Sequence, residues 1–166
     1  SRGLGDVYKR QELLFAPERC GGIAAEQLVG LCFSGKYDRA GVMKLVRGRG
    51  GLLAHLGTSD AMEVERRMAR GDERARLVYD AMLYTAAKSI GAMAAAAGGD
   101  IDRIILTGGI AHSAYVADYL TKKVRFIAPV EVMAGEFEME ALAAGAARVL
   151  SGRETAHRFR DLARGE

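Results

Sequence analysis

The sequence predicts an α/β fold in which helices cover a mostly parallel sheet. Three observations point there. Two short apolar runs rich in β-branched residues, within "RIILTGG" (103–109) and "VRFIAPVEVMAG" (124–135), alternate with helical stretches in the second half. The first half reads as a succession of helices able to cover one face of that sheet. Glycine is abundant at 21 of 166 residues, alanine tracts recur, Trp is absent and Pro occurs twice. That composition favours helices packed closely through small residues over a β-sandwich.

Taken in order, residues 1–11 are polar and glycine-rich without periodicity. They resemble the conceptual translation of a sequencing adapter, so they are set apart as a non-native or disordered leader. "FAPERCGGI" (15–23) reads as a loop broken by Pro17 and the Gly21-Gly22 pair. "AAEQLVGLCF" is a short helix with Leu28, Leu31 and Cys32 on one face, stopped by Gly35. Asp38 can cap the helix "RAGVMKLV", which ends in "RGRGG" (47–51). "GLLAHLGTSD" (51–60) opens apolar and closes as a polar turn. Ser59 or Asp60 can cap "AMEVERRMAR", which Gly71 ends.

The longest helix spans about Asp72 to Ala97, with Val78, Met82, Ala86, Ile90 and Met93 as its apolar stripe. A strand in "RIILTGG" precedes the helix "AYVADYLTKK", for which Ser113 is the candidate cap. Pro129 interrupts the next strand segment. "EFEMEALAAGAARVL" is the last clear helix, ended by Gly152, and residues 153–166 form a charged tail.

Charge patterning excludes some partners. The net charge of +3 comes from the ends: residues 1–11 contribute +2 and residues 153–166 contribute +1, so residues 12–152 are neutral. A nucleic-acid binder concentrates basic charge on a folded face, so no nucleic-acid partner is expected. Cys20 and Cys32 lack metal-ligand spacing and read as reduced thiols of a cytoplasmic protein. No apolar run approaches the ~18 residues of a membrane span, and no secretory signal opens the chain.

"ILTGGIAHS" carries the chemistry. At the junction of a strand and a helix, a ligand phosphate or adenine needs bare backbone, free N–H groups and the positive end of a helix dipole. Alone the motif is weak, because Gly-Gly pairs also occur in plain turns. It is neither a P-loop nor GxGxxG.

The wider text is more specific. "FAPERCGG", "LCFSGKY", "GLLAHLGTSD", "YDAMLYTAAKSIGAMAA", "IILTGGIAHS" and "FIAPVEVMAGEFEMEALAAGAARVL" follow one another over residues 13–152. In this order they resemble the C-terminal half of the butyrate kinase branch of the acetate kinase family, within the sugar kinase and actin superfamily. The resemblance implies a ribonuclease H-like, actin-type ATPase lobe over residues 12–152. It is the second of two lobes with nucleotide between them, so the chain reads as a fragment lacking the N-terminal lobe, the phosphate loop and the acyl pocket. It implies ATP and Mg²⁺ as cofactors, a short-chain carboxylate as substrate, and a homo-oligomer.

Matched residue by residue, Gly108, Gly109 and Ile110 correspond to the backbone against adenosine, and Asp60 to an acidic residue near it. Asp60 is equally a plain helix cap. Arg19 corresponds to the arginine on the transferring phosphoryl group. Its planar, always-charged guanidinium suits two equatorial oxygens at once. Glu138 corresponds to an acidic residue near Mg²⁺, with Glu136 the alternative if the loop alignment slips. Both also fit the acidic preference of a first helical turn.

Departures from the family pattern are Met62 where Arg is frequent, Cys20 where Ser is usual, and His55 and His112 where Tyr is common. His55 reads as a core histidine. The implied activity is reversible transfer of the ATP γ-phosphoryl group to butyrate. Kinases of acetate, propionate or branched short acids, and a non-catalytic interaction lobe, are the alternatives.

Overall fold

A computed structural model of the chain describes residues 14–135 and 138–156, without the side chain of Glu138. The chain opens with an antiparallel hairpin of two short strands, β1 (Phe15–Ala16) and β2 (Arg19–Cys20). Helices α1 (Ala25–Cys32) and α2 (Arg39–Val46) follow. The Asp38 carboxylate caps α2 by accepting from the Gly41 N–H at 2.7 Å.

The next element differs from the sequence reading. The apolar run "GLLAHL" is itself a helix, α3 (Gly51–Leu56), ended by Gly57 in the left-handed conformation. Six residues are too few for periodicity to declare a helix. Burial of Leu52, fully enclosed, holds it in place.

Helix α4 (Ala61–Ala69) is capped by Asp60, and the 24-residue α5 (Glu73–Ala96) by Asp72. The buried face of α5 centres on Ala75, Tyr79, Met82, Leu83 and Ala94. Val78, Ala86 and Ile90 flank that face, partly buried, so the stripe lies rotated from its predicted line. The reason is that α5 packs against α4 on one side and α6 on the other. Its enclosed surface is therefore wider than a single stripe and takes in Tyr79.

Strand β3 (Ile104–Gly108), a 3₁₀ turn (Gly109–His112), α6 (Ala114–Val124) and β4 (Val130–Ala134) form a βαβ unit. The strands are parallel, in register from Ile104 opposite Val130 to Gly108 opposite Ala134. Ser113 caps α6 by accepting from the Val116 N–H at 3.1 Å. Pro129 stands just before β4, where a residue without N–H costs the ladder nothing, and its carbonyl accepts from Ile104 N–H at 2.9 Å. The inward residues Ile104 and Leu106 join Val116, Leu120 and Val124 in one core with α5. The last helix, α7 (Glu138–Leu150), contributes nothing to that core: Met139, Leu142 and Leu150 are exposed.

One polar clasp ties the helical half together. The Arg67 guanidinium donates to both the Leu56 carbonyl (2.8 Å) and Asp72 Oδ2 (2.9 Å from Nε), with a second nitrogen 2.7 Å from the same carboxylate. Asp72 also accepts from the Ala75 N–H at 2.9 Å. That backbone bond first, and Arg67 second, hold the Asp72 carboxyl below its ordinary range. Because the folded-state value is depressed, this stabilisation is present above the unfolded value of about 3.9 and is lost as pH falls through the folded value. Acid titration of stability, followed by circular dichroism, is expected to show a shallower acid limb in Asp72→Asn than in wild type. Identical acid limbs would contradict the assignment.

Candidate functional site

The site is built on a clamp between the β1–β2 hairpin and the segment leading into α3. The carbonyl of Glu18 accepts from the N–H groups of Gly48 (2.8 Å) and Gly50 (3.3 Å), and the Pro17 carbonyl accepts from Leu53 N–H at 3.0 Å. Arg19 and Arg47 form a bridge across the same contact. The approach leaves no room for side chains. A Cβ on Gly50 would lie 2.5 Å from the Cys20 nitrogen, and one on Gly51 would lie 1.8 Å from the Ala16 oxygen. "RGRGG", read from sequence as a helix ending, is in fact the socket for the hairpin.

Beside the clamp is a cleft of about 410 Å³ lined by Ala16, Pro17, Glu18, Arg19, Arg47, Gly48 and Ser59. Arg19 is half-buried and Arg47 exposed, and among the described residues neither guanidinium has an ion pair or side-chain hydrogen bond. Two uncompensated guanidinium groups on one cleft suit an anion with several oxygens. Cys20, next to Arg19, donates its thiol to the Gly21 carbonyl at 3.2 Å, and burial pushes that thiol up. It is an unreactive neighbour.

The second candidate region is the end of β3. Gly108 has φ +87°, where a side chain would be strained, whereas Gly109 is not in that region and a Cβ there would meet nothing within 4 Å. The fold therefore does not need Gly109 to be bare. Its empty surface is a cradle that any side chain would fill. The N–H of Gly108 is not free, as expected from sequence, but donates to the Gly135 carbonyl at 3.1 Å, and Gly135 returns a bond at 3.3 Å. Free donors at this junction fall instead at the first positions of the 3₁₀ turn. Ala111 is buried and anchors that turn, while Ile110 is 37% exposed and presents an apolar face. This chemistry fits a flat heterocycle against backbone better than a phosphate in a nest.

Asp60 acts as the cap of α4, its Oδ1 accepting from Met62 N–H at 2.9 Å. Its other oxygen lies 3.6 Å from the Arg66 guanidinium. Arg66 therefore supplies a cation beside Asp60 although position 62 is Met. Sequence reading missed Arg66 because it lies one turn beyond the expected place, and missed Arg47 because only the hairpin brings it to Arg19.

Ser59, next to Asp60, lines the Arg19 cleft, so those two regions adjoin. Gly108, Gly109 and Ile110 are not among the residues lining that cleft. Glu138 begins α7, three residues after Gly135, the partner of Gly108. Its side chain and the alternative, Glu136, lie outside the described residues. Among the described residues no cluster of three or more His, Cys, Asp or Glu could hold a metal. None of their helices is long and apolar enough to cross a membrane.

Comparison with known proteins agrees with this architecture. Residues 14–155 match the family model described as the acetokinase family. Butyrate kinase 2 of Clostridium acetobutylicum is 47% identical over 146 residues, covering 88% of this chain and 41% of that protein. Probable butyrate kinase 2 of Caldanaerobacter subterraneus is 50% identical over 141 residues, covering 85% and 40%. The chain thus spans about two fifths of the length of these relatives. The crystal structure of Porphyromonas gingivalis acetate kinase superposes with a TM-score of 0.74 at 24% identity, over 82% of this chain and 41% of that one. A propionate kinase from Francisella tularensis gives 0.67 at 20%, over 76% and 38%. With the match running from the hairpin that carries Arg19 to the end of α7, this chain belongs to the acetokinase family.

Proposed function

We propose that residues 12–152 are the nucleotide-binding lobe of a kinase. The enzyme transfers the γ-phosphoryl group of ATP to butyrate or a similar short-chain carboxylate, giving an acyl phosphate and ADP. The observation that carries this reading is Arg19: a half-buried guanidinium with no counter-ion among the described residues, held at a cleft by a backbone clamp. The identity of 47–50% to butyrate kinases favours butyrate over acetate as the acceptor. Residues 153–166 are a charged tail, the assembly is a homo-oligomer, and the compartment is the cytoplasm.

In this reading the adenosine lies on the bare backbone at Gly108 and Gly109, with Ile110 against its apolar side and Asp60 near the ribose end. Arg19, with Arg47 beside it, neutralises charge on the transferring phosphoryl oxygens, which is where charge develops in phosphoryl transfer. The acceptor carboxylate is ionised near neutral pH, so its oxygen attacks without a strong general base. Glu138 is the residue that would hold Mg²⁺, which when bound with the nucleotide would neutralise further phosphate charge. Another lobe supplies the acyl pocket and excludes water on closure.

Two measurements on the 166-residue chain test the reading. Equilibrium dialysis is expected to show ATP binding at about millimolar affinity, on the order of −4 kcal/mol. Hydroxylamine trapping is expected to detect no butyryl phosphate from this chain alone, because half the cleft is absent. No ATP binding at tens of millimolar would sink the nucleotide assignment, and turnover by the isolated chain would sink the two-lobe assignment.

A further inference from the structure

Glu65 lies on α4, five residues beyond the cap Asp60, and a single oxygen of its carboxylate joins three helices. Oε1 accepts from the Ser113 hydroxyl at 2.6 Å and from the Tyr79 hydroxyl at 2.8 Å. Ser113 is the junction residue of the Gly109–His112 turn. Its N–H donates to the Ile110 carbonyl at 3.1 Å, and its Oγ accepts from Val116 N–H to cap α6. Tyr79 is fully buried in the second turn of α5. No Lys or Arg pairs with Glu65 among the described residues.

The carboxylate is therefore held by two neutral hydroxyl donors, an arrangement that fixes distance and direction. Without it the Tyr79 hydroxyl, buried in the core, would keep only the Ser113 hydroxyl as a polar neighbour, and Ser113 would lose the bond that ties it to α4. Length matters as well as chemistry: the carboxylate of Asp, one methylene shorter, would sit farther from both hydroxyls.

We infer that Glu65 is a positioning residue, the strut that fixes the Gly108–His112 turn against the helix Asp60 caps. It thereby sets the gap between the two surfaces assigned to the nucleotide, a consequence that rests on the proposed function. Glu65 touches no ligand itself. It acts through Ser113.

Amide hydrogen exchange and ADP dialysis on the 166-residue chain test this with Glu65→Ala, Glu65→Asp and Glu65→Gln. In Glu65→Ala and Glu65→Asp, the hydrogen-bonded amides of Ser113 and Val116 are expected to exchange about tenfold faster while those of β3 and β4 keep their rates. Glu65→Gln, whose amide oxygen still accepts both bonds, stays within about twofold of wild type. ADP affinity follows the same order, with a loss of about tenfold for Ala and Asp and little for Gln. Should Glu65→Ala fail to fold, the Asp and Gln pair carries the comparison.

Unchanged exchange at Ser113 and Val116 in Glu65→Asp overturns the strut, and so does equal opening in Asp and Gln. Opened amides with unchanged ADP affinity overturn the link to nucleotide. Opened amides in a chain whose wild type binds no ADP leave the strut standing and remove the nucleotide reading instead.

Discussion

Gly51→Ala is expected to cost more than about 3 kcal/mol of folding stability, the largest effect of an added methyl group among the glycines described. The added Cβ would sit 1.8 Å from the Ala16 oxygen and 2.8 Å from both the carbon and oxygen of the Pro17 carbonyl. These are backbone atoms of the hairpin that carries Arg19, so no flexible side chain can yield. The φ of +65° adds roughly 1–2 kcal/mol for any residue with a Cβ. Relief requires the hairpin to lift from α3, which breaks the bonds of Glu18 and Pro17 to Gly48, Gly50 and Leu53. Urea unfolding compared with Gly30→Ala checks this, because Gly30 lies inside α1 with open space around it. That control is neutral or stabilised by up to about 1 kcal/mol. A Gly51→Ala cost near that of the control would show that the clamp is not tight.

Arg19→Ala is expected to weaken ATP binding about 10- to 100-fold while leaving ADP within about threefold. That range is about 1.4–2.7 kcal/mol, the size of one charge-assisted hydrogen bond to the terminal phosphate made at a solvent-open cleft. The contrast between nucleotides is the informative part. An arginine aimed at the γ-phosphate discriminates ATP from ADP, whereas a general positive field attracts both. Arg19→Lys is expected to recover little, because an ammonium has no planar fork to engage two oxygens. Dialysis with both nucleotides at one fixed ionic strength reads the difference, since screening would otherwise confound it. Equal losses for ATP and ADP would remove Arg19 from the γ-phosphate.

Local chemistry was the legible layer of the sequence. Asp38, Asp60 and Ser113 cap the helices they precede, because a short polar side chain before an amphipathic run satisfies N–H groups wherever the helix packs. The limits of α2 and the position of β3 follow from the same local rules, whereas Pro129, read as interrupting a strand, stands just before β4. The candidate site residues came one at a time, from a family resemblance carried by short motifs: Arg19 in "PERCGG", Asp60 in "GTSD", the glycine pair in "LTGGIAHS".

What joins those residues was not legible. Helix α3 was hidden because six residues do not establish a period. Tyr79 fell outside the predicted stripe because two neighbouring helices, not one, enclose α5. Arg47 reaches Arg19 only through a bridge between segments 28 residues apart, and Glu65 reaches Ser113 across 48. No local pattern records a contact between distant segments.

The sequence by itself determined the α/β class, the strand–helix alternation of the second half, the caps of α2, α4 and α6 and the glycine-bearing turn, since each depends on neighbours a few residues away. Only the tertiary structure decided that the hairpin locks onto Gly50 and Gly51, that a second arginine shares the Arg19 cleft, and that Gly108 spends its N–H on Gly135. Those outcomes depend on which distant backbones pack within a few ångströms, and steric exclusion at that range is a property of the folded chain.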